Sequence, residues 1–519
     1  MIRNEEWRKN KQKYYHEKYR KILRYCTDKK IFFQPSEIHG LEKGFYHFGD
    51  MGVRLKNNIK QSWFRTFVNS RDDIYSFEGT MLSLADIWKG SGHKFHFDFI
   101  IGCQEGEELH WYSVDRLNLQ EDEIDEILNI ETSEKFKQYI RMKKLKCPIC
   151  GEVLRDFRVM STIFKLKMER EDFKSCGSFL RPETCQDIFL NFKKIGGRKL
   201  RLPFGIAQIG KVFRNEATQR RRIFRCREFE LMELEYFVDP KDKEVNLFEY
   251  EKFEAYAKSA EMDHEKMIRV EYLVELGIIK CKWLAYWIVE SIKWLERIGI
   301  DKKNLRIRQQ TEEERSHYSA DTWDVEYRFD WGWDEIEGIA YRKDYDMRSH
   351  DKYYRKRHHE KRSNLICDLG GHDFPHVVEI SFGVERTLLA LLYDSYTEKK
   401  GNPVLKFTPQ IAPYTVVVFP HRNEKNLVEA ALKIYGSLKE KFTTKYHGKN
   451  ERLGLKYHRF DRLGVPFCIS VGNEIKKGKV SISDRYFGET ELVRIEEVDV
   501  YIWKRIYSSD RAQQRRLEE

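Results

Sequence analysis

The apolar positions of this chain change period several times, and each change marks an element. Between Arg54 and Val68, Leu55, Ile59, Trp63 and Phe67 recur four residues apart, one stripe of an amphipathic helix. Phe95 to Phe99 alternates phenylalanine with polar residues, which predicts a half-buried strand. Two strand-like segments lie between Gly205 and Val238, joined by a loop that carries Arg220, Arg221, Arg222 and Arg225. Lys241 to Ile298 reads as mostly helical, an insertion. From His376 to Ser381 alternation returns: Val377, Glu379 and Ser381 face one way, Val378 and Ile380 the other. Gly383 then opens a helix that runs through Leu392.

The pattern breaks at Lys399-Lys-Gly-Asn-Pro403, with further prolines at Pro409 and Pro413. Beyond the break comes strand Thr415–Phe419, then helices Lys425–Lys441 and Arg452–Leu463, then strands Phe467–Val471 and Lys479–Asp484. Short strands alternating with helices predict a compact α/β domain. The larger body before it reads as antiparallel strands mixed with helices, an α+β domain. The expected division is a body over 1–405, with insertions at about 103–175 and 240–315, and a C-terminal domain over 406–519.

Composition changes the picture in two ways. A hydrophobic fraction of 41% excludes wholesale disorder, and a net charge of +11 suits either a polyanionic partner such as nucleic acid or a well-solvated surface. The 10 cysteines are scattered, so a reducing compartment is expected and the chain is placed in the cytoplasm. No secretory leader is read at Met1 to Arg20, and no apolar run approaches the ~20 residues that span a bilayer.

Some positions carry chemistry. Arg214 and Glu216, two apart on a predicted strand, share a face; an ion pair there is the plain alternative to a site. The arginine loop repels itself unless an anion visits, and a triphosphate fits. Glu379 and Ser381 project together, and Arg386 in the following helix's first turn favours a phosphate oxygen; a buried Glu–Arg bridge is the other reading. Cys147-Pro-Ile-Cys150-Gly151 has the spacing of half a zinc knuckle, and Cys103 with His110 could complete it. Two free thiols are the alternative, and zinc is not favoured. Arg348 to Arg362 is basic with interleaved tyrosines, which suits RNA contact or, as preferred here, a solvated mobile loop.

"FRNE" at Phe213–Glu216, followed by "FRCREFELMELEYF" from Phe224, resembles motif 2 of class II aminoacyl-tRNA synthetases, and "FGVERTLLALL" from Phe382 resembles motif 3. Further blocks run in the family's order: "LRPETCQDIFLNF", "HYSADTWDVEYRF", "DEIEGIAYRKDYD", "APYTVVVFP" and "DRLGVPFCISV". Together they resemble the glycyl-tRNA synthetases, of the dimeric, eukaryotic and archaeal-like type. The resemblance implies an α+β class II catalytic domain with an antiparallel sheet and helical insertions, followed by an α/β anticodon-binding domain. It implies a homodimer that uses ATP and Mg²⁺ to form glycyl-adenylate and passes the glycyl group to tRNA(Gly), without membrane contact.

By the same resemblance Arg214 and Arg386 are the catalytic pair. ATP would meet Arg214, Asn215 and Glu216, then Phe224, Arg225, Cys226, Arg227, Glu228 and Phe229, with Glu335, Ile336, Gly383, Val384, Glu385 and Arg386 opposite. Glycine would meet Glu183, Phe229, Glu230, Leu231, Met232, Glu233, Glu379, Ile380, Ser381, Phe382 and Gly383. Glu335 and Glu379 would hold Mg²⁺.

The chain departs from the pattern at Ala85, where motif 1 has a proline, at Gly49-Asp-Met-Gly52 and at Ser113. Two rivals remain. One is a non-catalytic relative of the kind recruited as an accessory subunit of mitochondrial DNA polymerase, which lacks the motif 2 and motif 3 arginines. The other is a histidyl, threonyl or prolyl synthetase, which the Arg-Pro-Glu-Thr and Glu-Ile-Ser-Phe-Gly blocks fit less well.

Overall fold

The computed structural model describes residues 17–35, 37–40, 44–92, 100–105, 108–113, 117, 126–127, 130, 133–147, 150–154, 157–168, 176–197, 201–216, 221–241, 252–359, 363, 365 and 374–506. Alternation of apolar and polar residues folds the body around one mixed sheet of nine strands. In chain order these are β1 (Ile74–Ser76), β2 (Phe204–Phe213), β3 (Glu228–Val238), β4 (Glu254–Lys258), β5 (Lys266–Arg269), β6 (Leu305–Gln309), β7 (Asp321–Phe329), β8 (Gly332–Lys343) and β9 (His376–Gly383). Their order across the sheet is β5-β4-β6-β7-β8-β9-β3-β2-β1. The β1–β2 and β4–β6 pairs are parallel and the rest antiparallel.

Strand periodicity gives the two faces opposite characters. Met232, Leu234 and Tyr236 of β3 join Val378, Ile380 and Phe382 of β9 on the apolar face. Three helices cover it: α1 (Asp50–Phe64), α3 (Lys282–Arg297) and α5 (Val384–Ser395). Trp294 of α3 meets Phe382 at 4.8 Å between ring centroids. Burying each such side chain contributes about 1.5–3 kcal/mol, so this layer anchors the sheet. The other face carries Gln208, Glu233, Glu235, Asp324, Glu379 and Ser381, all but Ser381 almost fully buried. Its outer end is capped by α2 (Cys185–Gly196) and α4 (Tyr345–His358) through Phe189, Phe192, Phe237 and Met347.

Several expectations are corrected here. The described residues between Lys241 and Ile298 are not mostly helical: β4 and β5 extend the body's sheet, and α3 is the long helix among them. The expected strand at Phe95–Phe99 falls outside the described residues, as does Arg220. β2 ends at Phe213, so Arg214 and Glu216 lie in the loop beyond it and share no pleated face. The basic stretch is helical to His358, because Met347 and His350 are buried and hold α4 against the body. The expected insertion near 103–175 does contain a separate sheet, Ile100–Glu105, Glu108–Ser113 and Phe157–Met160, with its own core of Ile101, Phe136, Ile140 and Leu154.

The glycines at the start of α1 answer a close approach. A Cβ on Gly49 or Gly52 would run into the carbonyl oxygens of Lys30 and Ile31. The last core residues of the body are Phe407, Ile411 and Ala412, and the C-terminal cores begin at Tyr414. The changeover therefore falls several residues later than 405/406. The C-terminal domain has β10 (Val416–Pro420), β11 (Thr444–Tyr446), β12 (Phe467–Val471), β13 (Lys479–Asp484) and β14 (Glu489–Arg494), in the order β11-β10-β12-β13-β14. Helices α6 (Lys425–Leu438) and α7 (Leu453–Leu463) pack on it through Leu427, Ile434 and Phe460. Among the described residues no helix is long and apolar enough to cross a membrane.

Candidate active site

Register places the polar face's residues in rows. Glu233 of β3 stands opposite Ser381 of β9, Ser381 opposite Gly338 of β8, and Gly338 opposite Asp324 of β7. The next row is Glu235, Glu379, Ala340 and Thr322. Gly338, Ala340, Ser381 and Gly383 are small, and above them opens a cavity of about 220 Å³.

At the inner end of the cavity carboxylates converge. Glu233 accepts from the Thr184 backbone N–H at 2.7 Å, from the Thr184 hydroxyl, and from the Ser381 hydroxyl at 3.0 Å. Glu183 accepts from Gln186 at 2.8 Å. The fully buried Arg342 donates to both oxygens of Asp346, at 2.6 and 2.7 Å, and to Glu379 at 2.9 Å, and lies 3.6 Å from the Tyr318 ring centroid. Burial drives the Glu379 carboxyl up to about 7, against the pull of Arg342 and with the push of Glu233 and Glu183. Behind it, burial and Glu379 raise the Glu235 carboxyl well above the usual range. Its oxygens have no hydrogen-bond partner among the described residues, which disfavours the charged form.

At the outer end cations converge. Arg214 donates to the Pro182 carbonyl at 2.9 Å and lies 5.7 Å from the Phe229 ring centroid. Burial works against its charge, but Glu183 and Glu216 outweigh it and hold the guanidinium above its usual range. Arg386 meets the Glu335 carboxylate at 2.9 Å and sits over the Phe224 ring at 4.8 Å. Arg221 and Arg222 are left-handed, at φ of 65° and 56°, an uncommon backbone for non-glycine residues that clusters at ligand sites. Arg221 is ion-paired to Asp334. Burial and the neighbouring Glu335 push the Asp324 carboxyl up to about 8.

Of the expected site residues, Glu183, Arg214, Glu216, Phe224, Arg225, Cys226, Phe229, Leu231, Glu233, Glu335, Glu379, Ser381, Gly383, Glu385 and Arg386 line this cavity. Met232, Ile380 and Phe382 do not: strand alternation turns them into the apolar core, which also takes Ile336 and Val384. Glu228 is paired with Lys211 at the surface, Arg227 sits by Phe45, and Asn215 donates to the Ser161 carbonyl. Glu230 is turned to Lys56 and Lys60. Sequence reasoning missed Gln310, Tyr318, Asp324 and Arg342. Asp324 and Arg342 were within reach, since Asp324, Gly338, Ala340 and Arg342 alternate along β7 and β8 inside two quoted blocks.

Cys103, Cys147 and Cys150 form a second cluster, their Sγ atoms within 4.8 Å of one another and Cys103 to Cys150 at 3.8 Å. His110 pairs with Cys103 across the strands. The Gly151 N–H donates to the Cys147 carbonyl at 2.9 Å, closing the turn between the thiols.

Residues 164–273 match the class II tRNA synthetase core domain (G, H, P, S and T), and residues 415–505 an anticodon binding domain. A glycine–tRNA ligase of Caldanaerobacter subterraneus subsp. tengcongensis is 34% identical over 500 residues, 94% of this chain and 98% of that one. Those of Treponema denticola and Geobacillus thermodenitrificans are 30% and 32% identical, covering 92% and 93% of this chain and 95% and 97% of their own. These relatives are bacterial, so they lend no support to a eukaryotic or archaeal-like subtype. Identity at this level along nearly the whole length places the chain in the glycine–tRNA ligase family of class II aminoacyl-tRNA synthetases.

Proposed function

We propose that the cavity joins glycine to ATP and then to tRNA(Gly). The carrying observation is the row Glu233–Ser381–Gly338, acidic and nearly without side-chain bulk at its centre, opening towards Arg214 and Arg386. Glycine's ammonium fits among Glu183, Glu233 and Glu379, and its carboxylate fits Arg214. A carboxylate oxygen attacks the α-phosphate, the bond to the bridging oxygen breaks, and pyrophosphate leaves with that electron pair. The tRNA's terminal ribose hydroxyl then attacks the acyl carbon, displacing AMP. The protein's share is positioning and charge stabilisation. Phe229 stacks on adenine, Glu216 accepts from its amino group, Arg225 holds the triphosphate and Arg386 clamps it. Rejection of larger amino acids is assigned to the space around the bound α-carbon rather than to the carboxylates, which any amino acid's ammonium would satisfy. The test is pyrophosphate exchange run with all twenty amino acids. Glycine alone is expected to support it, and exchange with another amino acid in its place would overturn the reading.

Mg²⁺ supplies charge neutralisation at the phosphates when bound. Glu335, partly exposed at the outer end, fits it. Glu379 reaches the same cavity but is held by Arg342, and Asp324, whose charge Glu335 opposes, lines it too. The three-cysteine cluster fits Zn²⁺, and His110, opposite Cys103 in the strand register, is the proposed fourth ligand. Burial and the two neighbouring thiols push Cys103 up to about 12, so three thiolates would coexist only around a cation. About one zinc per chain is expected on metal analysis, lost in Cys147→Ser; equal zinc in both would exclude the site. Leu82 and Leu84, exposed beside Ala85, suit the expected homodimer, which sedimentation would detect.

A further inference from the structure

A polar cluster behind the nucleotide end of the cavity plays no part in the steps above. Lys56 of α1 is only 9% exposed, although it lies among the apolar residues that fasten the helix to the sheet. Its Nζ stands 2.5 Å from Glu385 and 2.8 Å from Glu230, and 4.2 Å from the Phe48 ring centroid. One turn on, Lys60 reaches the other oxygen of Glu230 at 2.7 Å. The second oxygen of Glu385 accepts the Glu230 backbone N–H at 3.0 Å. One ammonium thus holds together two buried carboxylates that would otherwise repel.

Those carboxylates stand at instructive positions. Glu230 lies on β3 between Phe229 and Leu231, which both line the cavity, and Glu385 immediately precedes Arg386 in the first turn of α5. The start of β3 and the start of α5 are the two backbones that present Phe229 and Arg386. The base of the cluster is firm, because α1 is fastened on another side as well. Asn58 donates to the carbonyls of Ile411 and Ala412 at 3.2 and 2.9 Å, and Asp50 accepts the Tyr414 hydroxyl.

We propose that Lys56 is a positioning residue of the nucleotide site, fixing through Glu230 and Glu385 the spacing between Phe229 and Arg386. This rests on the assignment of Phe229 and Arg386 to ATP made above. Without the ammonium the two carboxylates separate or take up a proton, and the gap that must fit adenine and triphosphate changes. The glycine end, held by Thr184, Arg342 and Asp346, is left in place.

The test is glycine-dependent pyrophosphate exchange by Lys56→Met and Lys56→Arg, with thermal unfolding of each. The KM for ATP should rise about tenfold or more in Lys56→Met, the scale of one lost charge-assisted contact, while the KM for glycine stays within about twofold. Lys56→Arg should recover most of the loss, since a guanidinium can bridge both carboxylates. An unchanged ATP KM in folded Lys56→Met, or equal rises for ATP and glycine, would overturn the proposal. If Lys56→Met does not fold, Glu230→Gln removes one of the two charges the ammonium holds, and it too should raise the ATP KM selectively; an unaltered value overturns the proposal. Wild-type protein without glycine-dependent exchange would instead remove the functional reading on which it rests.

Discussion

Glu233 already accepts three hydrogen bonds from Thr184 and Ser381, so its charge is fixed in place before an ammonium arrives. Glu233→Gln would turn an NH₂ towards either the Thr184 donors or the Ser381 hydroxyl, which bond different oxygens of Glu233. Losing a buried charge-assisted contact costs about 1.5–3 kcal/mol, so glycine use should fall by about 10- to 100-fold. Ser381→Ala removes a donor to Glu233 and should cost less. Neither change should admit alanine, because exclusion rests on space. Glycine- and alanine-dependent exchange on both variants, with the ATP KM as control, checks this; unaltered glycine kinetics in Glu233→Gln would move the ammonium elsewhere. Arg214→Ala and Arg386→Ala should each lower exchange by about 100-fold or more while the fold survives, since both meet charge that develops at the phosphates. Near-normal exchange in either would remove it from the site. Motifs made Glu233, Ser381 and both arginines legible in the sequence. They also swept in Met232, Ile380 and Phe382, because a quoted block carries both faces of its strand.

At the scale of elements, β8 carries a carboxylate on the apolar side. Glu337 is fully buried, takes a hydrogen bond from Ser291 on one oxygen, and has no partner on the other among the described residues. Burial raises it well above its usual 4.5. A raised carboxyl means the folded state holds a proton that the unfolded chain releases. The associated stability is therefore complete below pH 4.5 and drains away as pH rises above it. Glu337→Gln keeps the acceptor for Ser291 and titrates nothing, so its melting temperature should decline less than wild type between about pH 5 and 9. Parallel curves would refute this. Element reading succeeded where apolar runs were unbroken, as at Phe467–Val471, and failed at β4, where only the small Ala255 and Ala257 are buried, and at the edge strand β5, which buries no side chain fully.

Over the whole molecule the two domains meet through α1, through the segment Phe407–Tyr414, and where Tyr25 and Asp28 meet Arg462. Because the body's core ends at Ala412, removal of Tyr414–Glu519 should leave glycyl-adenylate formation and cripple charging of tRNA(Gly). Equal charging by both forms would give the domain another role. That the chain holds two domains was legible from the change of pattern after Pro403. Which distant residues meet was not, since no local period reports that the Tyr25 hydroxyl bonds the Arg462 carbonyl, 437 residues away.

Lys56 and Glu385 are 329 residues apart. At about 5–20 residues per second, a ribosome emits the lysine on the order of 20–60 s before the carboxylate that neutralises it. Until Glu230 emerges the nascent α1 has its apolar stripe but no partner for its buried cation, and the second carboxylate comes only with Glu385. The nucleotide end of the cavity is thus among the last parts of the body to close during synthesis. Ribosome-stalled chains that end before Glu385 should be cut by protease within α1, whereas chains that end beyond Phe442 should resist.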